Sequence, residues 1–136
     1  MYTRRVQYYE TDMMGIAHHA SYIHWMEEAR IDFMDRIGYP YRRMEAEGVL
    51  SPVRAVSIQY KKPCTFGDEI AIDVAVESFN GVVMTLAYAM KKGETLLCEA
   101  RSEHVFMNRE GRLVRMKRDL PQFCAIIDGL LSAGNS

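Results

Sequence analysis

The stretch YYETDMMGIAHHASY, Tyr8 to Tyr22, places one carboxylate, Asp12, on a short loop with a glycine, Gly15, directly before a run with helical spacing. A helix start leaves its first N–H groups without intrahelical partners and carries the positive end of the dipole, so negative charge that develops there is stabilised. A carbonyl bound at such a site is polarised by backbone donors, and Asp12 can then act as general base on water or as nucleophile. An Asp shortly before a helix is also the ordinary loop or capping residue. The residue types alone leave both readings open.

The other chemistry-bearing residues form no rival constellation. His18 and His19 are adjacent, so their side chains are expected to point apart and to be poorly placed to share a metal; His24 adds no ligand spacing, and no H-E-x-x-H occurs. His18 and His24 read as polar residues at the surface or at the helix start. Ser57 and Ser102 lack a G-x-S-x-G context, which argues against a serine hydrolase. Tyr8 and Tyr9 alternate on a strand end, so one of them is expected to face inward. Arg109, Arg112, Arg115, Lys117 and Arg118 make a basic run near the last strand, either a solvated face or a phosphate site, since arginine matches phosphate geometry.

The elements that must position these residues can be read from periodicity. Arg4 to Tyr8 predicts a short strand leading into a turn over Glu10 to Gly15. From about Ala20, Tyr22, Met26, Ala29, Phe33 and Ile37 recur at steps of three and four, with His24, Glu28, Asp32 and Asp35 on another face. That pattern predicts an amphipathic helix of about five turns, stopped by Gly38 and Pro40. A shorter helix follows over Tyr41 to Glu47. Strands are then predicted for 50–60, 69–79, 82–91 and 95–108, with Asn80-Gly81 as the sharpest hairpin signal. Pro121 opens a last helix over Gln122 to Leu131, and the tail from Ser132 to Ser136 is expected to be loose. The order implies one α+β domain over residues 1–136, an antiparallel sheet packed on one long helix, with exposed strand edges that favour a homo-oligomer.

Bulk properties narrow the function classes. The formal net charge is -1 in 136 residues, which gives no electrostatic case for nucleic acid or an anionic membrane as partner. Cys64, Cys98 and Cys124 are widely spaced and odd in number, as expected of free thiols in a reducing compartment. No apolar leader or run of membrane-spanning length is present, so a cytoplasmic location is expected.

The residues V-x-Y-Y-x-T-D-x-x-G-x-x-x-H-A-S-Y, from Val6 to Tyr22, followed by Glu27, Ala29 and Arg30, resemble the 4-hydroxybenzoyl-CoA thioesterase family of hotdog proteins, and especially its YbgC-like acyl-CoA thioesterase branch. Weaker support comes from Ile58 to Pro63 before Gly67-Asp68-Glu69, and from Gly111-Arg112 leading to Leu120-Pro121. The resemblance implies a hotdog fold, hydrolysis of an acyl-CoA thioester to free acid and coenzyme A, no metal or organic cofactor, and a homodimer or dimer of dimers (homotetramer). It puts the catalytic carboxylate on Asp12, an active-site tyrosine on Tyr8 and the carbonyl-polarising backbone N–H on His19, which the ungapped register favours over the alternative, the adjacent His18. Gly15 falls in the substrate-binding loop, and a coenzyme A phosphate contact falls close to Arg115. Two alternatives are a non-catalytic acyl-CoA-binding hotdog protein and a hotdog dehydratase of 3-hydroxyacyl thioesters. Met13, Met14 and Met26 are candidates for an adaptable apolar pocket.

Overall fold

A computed structural model describes residues 1–134. Its elements are β1 (Tyr2–Arg5), a 3-10 turn (Tyr8–Glu10), α1 (His19–Arg36), α2 (Tyr41–Ala46), β2 (Val53–Tyr60), β3 (Glu69–Phe79), β4 (Met84–Lys92), β5 (Thr95–His104), α3 (Met116–Asp119) and α4 (Pro121–Ser132). The five strands form one sheet in the order β1-β3-β4-β5-β2. β1 runs antiparallel to β3, with Tyr2 opposite Ile72 and Arg5 opposite Glu69. The hairpin between β3 and β4 is the one foreseen at Asn80-Gly81. Gly81 takes φ +89°, and the Asn80 side-chain oxygen accepts the N–H groups of Val82 and Val83 at 2.8 Å each.

The chain gathers into two compact units. The first comprises Met1–Phe33, Ile58–Val74 and Tyr88–Ala100. In it the buried stripe of α1, Tyr22, Trp25, Met26, Ala29 and Phe33, repeats at three- and four-residue steps as the helical period requires. The helix is tied to β1 by Tyr2, whose hydroxyl donates to Glu28 at 2.8 Å, and by Arg4, whose Nε lies 3.0 Å from the same carboxylate. The second unit comprises Met34–Ser57, Ala75–Ala87 and Arg101–Ser136. Its core holds Tyr39, Phe79, Phe106 and Phe123 in edge-to-face contacts, with Phe123 contributed by α4.

Alternation identifies the strand faces. Met84, Leu86, Tyr88 and Met90 of β4 are buried while the residues between them are not, the period of two expected of a strand with one covered face. β2 behaves differently. It ends the sheet order, and none of its residues is buried on either face, with Val53, Val56 and Tyr60 exposed.

Several boundaries differ from the sequence expectation for identifiable reasons. The first strand is Tyr2–Arg5 rather than 4–8, because the Glu10 carboxylate accepts the Gln7 N–H at 2.8 Å and bends the following residues into the 3-10 turn. Tyr8 and Tyr9 sit on that turn, 77% and 81% exposed, so neither faces inward. Leu50 and Met107 join only through an isolated bridge, which trims the ends of the predicted 50–60 and 95–108 strands. Glu47 caps α2 instead of continuing it. The basic run is divided among different roles. Arg109 donates to the Glu45 carbonyl at 2.9 Å, Arg115 caps the short helix α3, which periodicity did not reveal, and Arg118 pairs with Asp119 at 2.8 Å. Of the expected loose tail, Ser132 closes α4 and Ala133 caps it; Asn135 and Ser136 lie outside the described residues. Among the described residues no helix is long and apolar enough to cross a membrane.

Candidate active site

Residues 11–17 close into a small hairpin. Thr11 bridges Ala17, the Asp12 N–H donates to the Ile16 carbonyl at 2.9 Å, and the Gly15 N–H returns to the Asp12 carbonyl at 3.0 Å. Gly15 adopts φ +78°, which a side chain would strain, so the tight turn depends on it. The Asp12 carboxylate does not swing freely: its Oδ1 accepts the Met14 N–H at 2.8 Å. The hairpin is anchored in turn, since Ile16 bridges Thr65 and the Ala17 N–H donates to the Cys64 carbonyl at 2.8 Å.

Glu10 joins this hairpin to the helix. Its carbonyl accepts the His18 N–H at 2.7 Å and the Ser21 hydroxyl at 3.0 Å, holding the first turn of α1 against the loop. Its buried carboxylate accepts from Arg4 at 2.6 and 2.8 Å, from the Gln7 N–H and from the Trp25 indole at 2.8 Å. Burial pushes the Glu10 carboxyl upward, but Arg4 and the Gln7 and Trp25 donors outweigh it and hold the group below the usual carboxylate range. The Arg4 guanidinium also lies over the Trp25 ring, 5.1 Å from its centroid.

The start of α1 leaves the first helical donor open. His18 accepts the Ala20 N–H with its ring Nδ1 at 3.1 Å and the Ser21 N–H with its carbonyl at 2.9 Å, acting as the helix cap. The His19 N–H has no hydrogen-bond partner among the described residues. The Tyr60 hydroxyl donates to the His19 carbonyl at 3.1 Å and so ties the end of β2 to the helix start. The His18 and His19 rings are stacked, centroids 4.2 Å apart, which corrects the expectation that they point apart. They share a side because the cap residue is not yet helical.

Asp12 and His19 line one pocket of about 390 Å³. Met14, Ile16 and Pro63 supply apolar wall, Tyr22 and Tyr60 supply ring faces, and Lys61 and Lys62 bring positive charge. Burial raises the hydroxyls of Tyr22 and Tyr60 above their ordinary value, so both stay protonated at neutral pH. Burial likewise raises Cys64, Cys98, to about 12, and Cys124; all three are free, buried thiols with no thiolate to act as nucleophile. Among the described residues no three His, Cys, Asp or Glu side chains gather as a metal site.

The structure therefore brings Asp12 and His19 together. Tyr8 is not part of the pocket lining; its ring stands against Phe66, centroids 5.8 Å apart. Gly15 shapes the Asp12 turn without lining the pocket, and Arg115 belongs to the second unit. Of the three methionines singled out, Met26 is core, Met13 is fully exposed, and Met14 is an exposed pocket residue. Periodicity and spacing did not single out Glu10 or Tyr60. The one signal for the latter lay in the Tyr60-Lys61-Lys62-Pro63 stretch that supported the family resemblance.

An antiparallel sheet with one long helix is the hotdog arrangement. Residues 6–131 match the model of the thioesterase-like superfamily, and the chain belongs to that family. It is 36% identical over 121 residues to the putative acyl-CoA thioesterase YneP of Bacillus subtilis, covering 87% of each chain. It is 31% identical over 97 residues to the acyl-CoA thioester hydrolase YbgC of Escherichia coli O6:H1, covering 71% of this chain and 72% of that one. Among solved structures, a DHNA-CoA thioesterase from Staphylococcus aureus shares the fold with a TM-score of 0.94 at 24% identity, covering 98% of this chain and 91% of that one.

Because Glu10 is held below its ordinary range, the stability it contributes is present above the unfolded carboxyl pKa and is lost as pH falls through the depressed folded value. Glu10→Gln leaves Arg4 without its closest buried counter-charge and should lower unfolding free energy at neutral pH by about 3 kcal/mol. The gap to wild type should narrow at acid pH, as the pH falls through the depressed folded value and the wild-type carboxyl also takes up its proton. Urea unfolding at neutral and acid pH checks this; equal stability at neutral pH would show that the cluster contributes nothing.

Proposed function

We infer that the protein is an acyl-CoA thioesterase, hydrolysing an acyl-CoA thioester to free carboxylic acid and coenzyme A. The observation that carries the reading is the presence, in one pocket, of the Asp12 carboxylate and of a helix start whose His19 N–H is open. The names of the YneP and YbgC relatives both specify acyl-CoA. In the proposed mechanism the thioester oxygen sits at the His19 N–H, where the dipole of α1 and this donor favour the charge that accumulates during attack. Asp12 either takes a proton from the attacking water or adds to the carbonyl carbon to form an anhydride that water then opens; in both cases the thiolate of coenzyme A leaves. Tyr8, on the turn before Asp12, is assigned to the rim of the site as a substrate-positioning group. Gly15 is assigned to the loop that receives the thioester. The reading takes residues 1–136 as one hotdog domain, since β3, β4 and β5 each contribute residues to both compact units. It places the protein in the cytoplasm, where its free thiols stay reduced.

Asp12→Asn keeps the acceptor for the Met14 N–H but removes the base and nucleophile. It should lower kcat by about two to four orders of magnitude with KM and Tm nearly unchanged. A variant within a few-fold of wild type on every acyl-CoA would reduce Asp12 to a turn residue. The same assay, following free thiol, separates hydrolysis from dehydration of a 3-hydroxyacyl thioester and from binding without turnover.

Arg115 is proposed to meet a coenzyme A phosphate; it is exposed at the start of α3 in the basic run. Arg115→Ala should raise KM for acyl-CoA several-fold while sparing a short thioester without the nucleotide. Equal losses on both substrates would point to a structural role.

The protein is further proposed to be a homodimer or dimer of dimers. β2 ends the sheet with apolar side chains exposed on a strand that has no buried face, the condition that pairing with a second copy relieves. Sedimentation at micromolar concentration should find at least a dimer, and a fully active monomer would defeat the proposal.

A further inference from the structure

The pocket contains more charge than thioester hydrolysis uses. Asp12 and the His19 N–H suffice for the chemistry, and the thioester itself is neutral, yet Lys61 and Lys62 line the same pocket. Their backbone is fixed, because both N–H groups donate to the Leu97 carbonyl, at 2.8 and 3.1 Å, and Pro63 follows directly. Of the exposed cations elsewhere in the first unit, Arg5 faces Glu69 at 3.6 Å and Lys92 faces Asp68 at 2.9 Å, while Lys91, outside the pocket lining, forms no ion pair among the described residues. Neither Lys61 nor Lys62 forms an ion pair with a carboxylate among the described residues. With Asp12 as the one carboxylate of the lining, the pocket carries a surplus of positive charge.

We propose that Lys61 and Lys62 are specificity-determining residues that select acyl groups bearing an anionic substituent, such as the distal carboxylate of a dicarboxylic acid monothioester. The proposal rests on the thioesterase reading for the identity of the ligand. Coenzyme A also carries negative charge, but its phosphates are held away from the thioester carbon by the long neutral pantetheine arm. The two lysines share a pocket with the carboxylate assigned to attack that carbon, so the anion within their reach is the one on the acyl side. Two flexible ammonium groups suit a short acyl chain ending in carboxylate, since lysine acts as a mobile point charge rather than a planar fork.

The test compares glutaryl and hexanoyl thioesters, each on coenzyme A and on N-acetylcysteamine, which has no phosphate. Wild type should show a higher kcat/KM for the glutaryl group on both carriers. The double variant Lys61→Gln, Lys62→Gln should reduce the glutaryl-to-hexanoyl ratio by about fivefold on both. Replacing both lysines with Glu should invert the preference, and added salt should weaken it in wild type. A wild type indifferent to acyl charge, or a loss confined to the coenzyme A carrier whatever the acyl group, would overturn the proposal; the latter would assign the lysines to phosphate. If wild type turned over no thioester, the hydrolase reading would fail. Calorimetric binding of glutaryl-CoA against hexanoyl-CoA, with and without the lysines, would then decide the subsite by the same ratio.

Discussion

The Glu10 carboxylate is buried, and a buried charge is tolerated only where several donors meet it at once. Here those donors come from β1 through Arg4, from the turn through the Gln7 N–H, and from α1 through the Trp25 indole. Because all three converge on one carboxylate, the strand, the turn and the helix are tied into one arrangement. The backbone of the same residue extends the tie, because its carbonyl receives both His18 and Ser21. Glu10 and His18 thereby become the two sides of a short ladder continued by Thr11 with Ala17 and by Asp12 with Ile16. A carboxylate and a helix start seven positions apart in the chain are thus delivered to the same pocket.

That delivery explains the division of labour between the two histidines. His18 spends its ring nitrogen and its carbonyl on the next N–H groups of the helix, as a capping residue does, and the donor left open is the His19 amide. Tyr60 holds the His19 carbonyl. The open donor is therefore a backbone group whose direction is fixed by the helix and by a strand end. The cost of orienting it is met on folding and not during the reaction, which is the condition for electrostatic preorganisation.

Around this rigid centre the surface is unusually apolar. Tyr8, Tyr9, Met13, Met14 and Phe66 are all exposed, and they cluster in sequence around Asp12 and the segment that anchors its hairpin. β2 shows the same condition at the end of the sheet. Covering exposed apolar groups removes their surface from water, which favours whatever covers them, substrate or second subunit.

Much of this was legible in the sequence. The long helix followed from the spacing of Tyr22, Met26, Ala29 and Phe33, the β3–β4 hairpin from Asn80-Gly81, and the carboxylate from an Asp beside a glycine before the helix. These signals are local: each depends on residues a few positions apart, whose preferences act before the chain folds. The first strand and the facing of Tyr8 and Tyr9 were misjudged because Glu10 overrides strand alternation, and a glutamate in a polar stretch does not disclose that it will be buried. The stacking of His18 on His19 escaped for a related reason, since it depends on where the helix begins. Tyr60, Lys61 and Lys62 reach the pocket from some forty residues away, through the Tyr60 bond to His19 and the anchoring of both lysines on Leu97. The sequence by itself determined most of the element types and singled out Asp12 as the candidate carboxylate, because periodicity, turn residues and side-chain acidity are properties of neighbours along the chain. Which donor stays open, which charges share the pocket and which strand remains uncovered were decided only by tertiary structure, because burial and long-range hydrogen bonds exist only once distant segments meet.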